Sequence, residues 1–189
     1  MRSTRIRAIA VLILTLAIAA CQTEQISQDQ LKLARYTLKI NDLPKGWRFT
    51  GRSWSTDFGG DSYTVTYEID DHNFLSHTIS LFPNEVEAEK GYEEWNNEWF
   101  NSTQPNPEAT YSPLNSEDVH RFECVQLSTE SPVFSCSYLQ RHGEVISFVL
   151  ANLTNNTYLT FTELNQVLGI LDERVNTVAL ESEKGTPVP

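Results

Sequence analysis

Motifs that mark catalysis are missing from this 189-residue chain. There is no nucleophile elbow, no phosphate-binding glycine loop, no zinc-protease helix and no CxxC redox pair, so the sequence offers no ready nucleophile, nucleotide cradle or metal centre. Basic residues are scarce too: 14 Lys and Arg stand against 25 Asp and Glu. A net negative field repels phosphate backbones and anionic lipid heads, which argues against nucleic acid as a partner. No block of like charge, low-complexity tract or short repeat interrupts the chain. Glycine and proline number only eight each while aromatics reach 11%, a balance that excludes wholesale disorder.

What is present begins at the amino terminus. Three arginines in the first seven residues precede an apolar run, Ala8 to Ala20, interrupted only by Thr15. Thirteen residues suit the h-region of a signal peptide and fall short of the ~20 that span a bilayer as a helix. The run ends in Ile18-Ala19-Ala20-Cys21. This resembles the lipobox of bacterial lipoproteins. The resemblance implies cleavage before Cys21, a thioether-linked diacylglycerol on its sulfur, and further acylation, often palmitate, at the new amino terminus. More than one acyl chain gives a firm anchor, since a single chain binds membranes only marginally. The alternative is an ordinary secretory signal, for which Ala17-Ile18-Ala19 supplies an A-x-A site. Gln22 after the cysteine, by resemblance to lipoprotein sorting in two-membrane cells, permits delivery to the outer membrane. In a one-membrane cell the same protein would sit on the outer face of the plasma membrane. Removing residues 1–20 removes three basic residues and no acids, leaving 11 basic against 25 acidic and a formal charge of −14.

The resulting division is a signal peptide at 1–20, a tether at 21–28, a single domain at 29–180 and a polar tail at 181–189. With Cys21 assigned to lipid, Cys124 and Cys136 read as one disulfide in an exported chain. The alternative is a pair of buried thiols.

Along the domain, Ser27 to Gln30 fits a capping box, followed by an apolar stripe at Leu31, Ala34 and Leu38. A strand is expected over 48–54 and another over 62–69, where Tyr63, Val65, Tyr67 and Ile69 alternate with Thr64, Thr66 and Glu68. A short strand at 78–82 follows a polar turn at 70–73. Asn84 caps a helix to Phe100, with Ala88, Tyr92, Trp95 and Trp99 on one face and Gly91 marking close packing or a weak point. Residues 101–118 form a long loop, with a short strand expected at 109–111. If Cys124 faces Cys136, paired positions on two strands sum to 260, so Phe122 faces Tyr138 and Leu127 faces Val133. A His142-Gly143 turn then pairs Leu139 with Ile146. Both faces of these strands are apolar, which requires cover on both sides. A second capping box at Thr160 to Glu163 opens a helix whose stripe is Leu164, Val167, Leu168, Leu171 and Val175, reaching about Thr177.

This order gives an α+β fold, an antiparallel sheet packed with two main amphipathic helices. Asp42-Leu43-Pro44-Lys45-Gly46-Trp47, the long acidic helix and Leu171 to Val175 resemble the corresponding features of PsbP-like α/β sandwiches among exported bacterial lipoproteins. The resemblance implies a non-enzymatic binding or assembly module with no cofactor.

Three constellations were weighed for chemistry. Asp70, Asp71, His72 and nearby His77 read as a solvated turn, because adjacent strand positions point apart. Glu117, Asp118 and His120 lack enough ligands for a metal. Trp47, Trp54, Trp95 and Trp99 are candidates for an aromatic binding surface or for core. The expected function is therefore a membrane-anchored envelope lipoprotein that meets a protein partner. The alternative is a binder of a small apolar or lipid ligand, and the least favoured is an enzyme using Asp and Glu. An apolar cavity lined by the aromatics would favour the lipid binder, and an exposed patch beside the 101–118 loop the partner binder.

Overall fold

The computed structural model describes residues 28–56, 59–101, 105–106, 108–113, 118–127, 133–154 and 158–183. Its elements are α1 (Gln28–Tyr36), a 3-10 turn (Ile40–Asp42), β1 (Arg48–Ser55), β2 (Asp61–Glu68), β3 (Phe74–Leu81), α2 (Glu85–Trp99), β4 (Val119–Gln126), β5 (Val133–His142), β6 (Val145–Thr154) and α3 (Phe161–Glu183). All six strands join one sheet in the order β1-β2-β3-β6-β5-β4, and every pairing is antiparallel. The fold is α+β, as expected. Among the described residues no helix is long and apolar enough to cross a membrane.

The two faces are covered unequally. The side chains of Leu33 and Leu38 and the α3 stripe Leu164, Val167, Leu168, Leu171 and Val175 are buried in one cluster with Tyr63, Val65, Tyr67, Leu75, Ile79, Val145, Val149 and Tyr138. Each large side chain buried here contributes ~1.5–3 kcal/mol of gross hydrophobic stabilisation. On the opposite face α2 sets Ala88, Tyr92 and Trp95 against Leu139, Ile146, Phe148 and Phe82. Helix α2 thus covers β5 and β6, and the adjoining stretch of β2 and β3 on that face carries Thr64, Thr66, Ser76 and Thr78, all half-buried. Cross-strand hydroxyl pairs tie it together: Ser62 and Ser80 Oγ lie 2.7 Å apart and Thr64 and Thr78 Oγ1 2.8 Å apart.

Caps and registers follow the residues. Glu87 N–H donates to Asn84 Oδ1 at 3.0 Å, and at α3 Thr160 and Glu163 exchange bonds in the expected box. Cys124 faces Cys136 and Phe122 faces Tyr138, and Leu127 N–H donates to Val133 O. Cys124 and Cys136 are disulfide-bonded.

Several expectations are corrected. The β5–β6 turn is Gly143-Glu144, so His142 pairs with Val145 and Leu139 with Phe148. Gly143 takes φ +55°, the left-handed position that glycine occupies without strain, and this pulls the turn one residue along. Partners move by two, so each side chain keeps its face. Helix α1 buries Leu33 while Leu31 is 54% exposed, which rotates the stripe away from Leu31. Strand β3 starts at Phe74, four residues early, and carries His77 into the core instead of a solvated turn. No strand forms at 109–111, since Tyr111 instead hydrogen-bonds Asp172 on α3. Strand β6 runs to Thr154 and α3 to Glu183, beyond the limits expected for each. The Ser27 cap and the β4–β5 turn near Glu130 lie outside the described residues.

His77 is fully buried. Leu38 N–H donates to its Nδ1 at 3.1 Å and its Nε2 lies 3.1 Å from Ser147 Oγ. A ring nitrogen that accepts from a backbone N–H carries no proton, so the imidazole is neutral and Nε2–H donates to Ser147. Burial, with Arg174 and Lys39 adding repulsion, depresses its pKa from 6.5 to about 3.

Two predictions follow from this packing. A Cβ on Gly91 would lie 2.5 Å from Phe82 Cζ, whereas one on Gly169 meets nothing within 4 Å. Gly91→Ala should therefore lower the unfolding free energy by ~1–3 kcal/mol through overpacking, outweighing its helix-propensity gain, and Gly169→Ala should raise it by roughly 0.5–1 kcal/mol; urea unfolding measures both. His77 binds a proton more readily when unfolded, so it supports the fold fully above pH 6.5 and loses that support as pH falls toward 3. Between pH 6.5 and 5 this one group should give a slope approaching ~1.4 kcal/mol per pH unit, and a His77→Gln variant should show a pH dependence shallower by that amount.

Candidate functional site

The candidate tryptophans are split between the two sides of the sheet. Trp47 is 6% exposed, and its Nε1–H reaches Tyr158 O at 3.5 Å. Trp54, on edge strand β1, stacks on Tyr63 with ring centroids 3.8 Å apart. Both belong to the α1–α3 side. Trp95 and Trp99 belong to α2 on the other side, where both contact Phe148, Trp95 edge-on at 5.1 Å and Trp99 tilted at 5.3 Å. Trp95 is 3% exposed and Trp99 40%. The four form no shared surface; Trp99 is the most exposed, Trp54 is half-buried, and Trp47 and Trp95 are buried.

Trp99 borders a groove of about 410 Å³. Trp99 and Asn101 form one wall, and Glu123 and Val125 of β4 with Ser135 and Ser137 of β5 form the floor. Glu123 pairs directly with Ser137 and Val125 with Ser135, so three of the four floor residues are polar and Val125 is the apolar one. Glu123 and Ser137 are more than nine-tenths buried. The Glu123 carboxylate makes no hydrogen bond among the described residues, and its charge contact is Arg121 Nη2 at 3.6 Å. Arg121 in turn is held by Asn96 Oδ1 at 3.1 Å and lies over the Phe100 ring at 5.2 Å. The hydroxyls of Ser135 and Ser137 likewise have no hydrogen-bond partner among the described residues. Leu127, 58% exposed, closes the far end.

A smaller hollow of about 310 Å³ lies beside Gly59, Gly60 and Phe82. It holds an aspartate and a threonine at its rim but no buried carboxylate.

The remaining sequence candidates have structural partners. Asp70 Oδ1 accepts from His72 N–H and Asn73 N–H at 2.8 Å each, and the Asn73 side-chain amide, with these, holds the Asp70 carboxyl below its usual range. Asp118 is buried and accepts from Gln140 Nε2 at 2.7 Å, with His142 Nδ1 2.6 Å from its other oxygen. His120 reaches only the Asp118 carbonyl, at 3.4 Å. Glu117 and Cys21 lie outside the described residues. Among the described residues no group of three or more His, Cys, Asp or Glu is placed to hold a metal.

Sequence reasoning missed Glu123, Ser135, Ser137 and Asn101. A signal for the first three existed. Once paired positions sum to 260, these polar residues fall on the same face as Val125, Val133 and Leu139, where an apolar floor would otherwise be expected.

No protein-family model matches the sequence, and no curated protein matches it. Among solved structures, the extracellular domain of PknH from Mycobacterium tuberculosis is similar in fold, with a TM-score of 0.56 over 78% of this chain and 96% of that one, at 11% identity. At that identity the likeness concerns the fold alone.

The exposure of Trp99 gives a direct test. A Trp99→Phe variant should lose a larger share of its acrylamide-quenchable emission than Trp47→Phe or Trp95→Phe, measured by Stern–Volmer titration of the folded proteins; equal losses would contradict the burial described.

Proposed function

We propose that this chain is an exported, lipid-anchored envelope protein whose domain is a non-enzymatic binding module. Acylation at Cys21 moors it, and the groove beside Trp99 meets its partner. The observation that carries the reading is the Ile18-Ala19-Ala20-Cys21 sequence in a chain whose other two cysteines are bonded across β4 and β5. Persistent disulfides belong to oxidising compartments, and export through a lipoprotein signal delivers a chain to one. The fold likeness to a domain described as extracellular supports the same side of the membrane.

In this reading the mature protein faces away from the cytoplasm, on the outer membrane of a two-membrane cell or the outer face of a one-membrane cell. The antiparallel sheet between helices also suits the PsbP-like sandwich. The groove lies at the start of the 101–118 loop, is open along Trp99 and mixes polar with apolar lining. That favours a partner surface over a lipid-sized apolar cavity, the second reading.

Metabolic labelling with an alkyne fatty acid tests the anchor. The wild type should incorporate label and fractionate with membranes. Cys21→Ala should take up none, and equal labelling of that variant would overturn the assignment. The disulfide provides a second check. Its closed loop, with a sequence separation of 12, is worth about 3 kcal/mol in the chain-entropy model, so a Cys124→Ala/Cys136→Ala double variant should unfold at correspondingly lower urea.

A further inference from the structure

We propose that the Trp99 groove binds a neutral saccharide, a mono- or disaccharide or the end of a longer glycan. This rests on the groove being the module's binding site and goes on to name the ligand class. Three features of the groove converge on it.

The first is charge. Among the described residues Glu123 is the only charged one lining the groove, and Arg121 Nη2 stands 3.6 Å from its carboxylate. The pair is close to neutral together. A bound cation would compete with Arg121, and a bound anion would face an acidic protein and a buried carboxylate; a neutral ligand disturbs neither.

The second is unmet hydrogen bonding. Glu123 offers acceptor sites only, while Ser135 and Ser137 can donate and accept. The side-chain amide nitrogen of Asn101 has a long contact to Glu98 O at 3.5 Å, which leaves its carbonyl oxygen to accept. Glu123 and Ser137 are more than nine-tenths buried as residues, yet both line the groove, so their polar atoms are offered to whatever enters it. A ligand that satisfies them must carry several groups that both donate and accept at short spacing, as the hydroxyls of a sugar ring do.

The third is shape. The Trp99 indole forms an apolar wall, and Val125 and Leu127 supply aliphatic floor. A sugar ring has apolar C–H faces and a polar rim, matching an aromatic wall above a polar floor. The volume of about 410 Å³ is at the low end of the ~300–1,000 Å³ typical of small-molecule sites.

Fluorine NMR of the full-length protein labelled with 5-fluorotryptophan tests this directly, with the four indole resonances assigned by single Trp→Phe variants. The probes are cellobiose and di-N-acetylchitobiose, with tetramethylammonium chloride and sodium acetate as charged controls. The expected result is a saturable shift of the Trp99 resonance with at least one disaccharide while Trp47 and Trp54 stay fixed. Glu123→Gln and Ser137→Ala should each raise the Kd roughly tenfold, with unchanged spectral dispersion showing that the fold persists. No saturable shift with either disaccharide overturns the proposal. So does a response to tetramethylammonium alone, or affinities unmoved in both variants. A protein crosslinked at Trp99 without any disaccharide response would remove the saccharide and leave the binding module standing, whereas loss of Cys21 acylation would remove the anchor and leave this titration unaffected.

Discussion

One helix cannot cover a six-stranded sheet. Six strands at ~4.8 Å spacing are about 24 Å wide, and a helix with its side chains is ~10–12 Å across. On one face α1 and α3 divide the width between them, and the core there runs from Tyr63 on β2 to Cys124 on β4. On the other face, among the described residues, α2 is the one helix, and it packs on β5 and β6. The composition of every strand follows. Strand β6 is buried on both faces and largely apolar on both, while β5 is buried on both faces only over its middle and carries Ser135 and Ser137 on the α2 side. Strand β2 is buried on one face and alternates. The groove opens where α2 ends and the β4–β5 floor passes beyond its cover.

The sequence made these elements legible where a local rule matched the tertiary environment. The β2 alternation and the α3 stripe each encode one buried face, the Thr160–Glu163 capping box encodes a helix start, and each stands in the structure. The β4–β5 register was readable because two cysteines at directly facing positions fix it. Misreadings came where tertiary contacts overrode local chemistry. Phe74 to His77 follows a polar turn and looks like part of it, yet β3 pairs with β6 from Phe74 onward, because the central strand of a sheet is extended by its neighbours. Helix α1 has two apolar choices, Leu31 and Leu33, and only the docking against β2 and β3 selects Leu33. The groove was illegible for a related reason. A serine or glutamate on an apolar face reads as a defect until the helix that fails to cover it is placed.

Buried polar groups pin the layers together. Asp172 on α3 is fully buried and accepts from Tyr138 Oη of β5 at 2.7 Å and from Tyr111. Burial and the neighbouring carboxylate push both phenols well above their ordinary range, so they remain donors at any physiological pH. This joins helix, sheet and the 108–113 segment at one point. Two residues further along α3, Arg174 grips the Asp42 carboxylate with two bonds of 2.7 and 2.9 Å and also Thr37 O. Tyr67 Oη donates to Leu38 O at 2.7 Å, and burial raises that phenol to about 12. Single bonds of this kind add only ~1 kcal/mol net, but removing one partner strands the other in the core. Their value is therefore in fixing where α1 and α3 lie.

The same reasoning separates structural polar groups from available ones. His77, Asp118, Asp172 and Asp70 all have defined partners within the fold: the first three join separate segments, and Asp70 closes its own turn between β2 and β3. Glu123 and Ser137 differ. They face one another across β4 and β5, they are as buried as many core residues, and among the described residues no side chain or backbone group hydrogen-bonds to their oxygens. Neither is packed over by a side chain as Leu139 is on the same face; both line the groove instead. Two such groups side by side, under the exposed Trp99 indole and beside the end of α2, set this part of the sheet apart from the pinned polar groups of the other face.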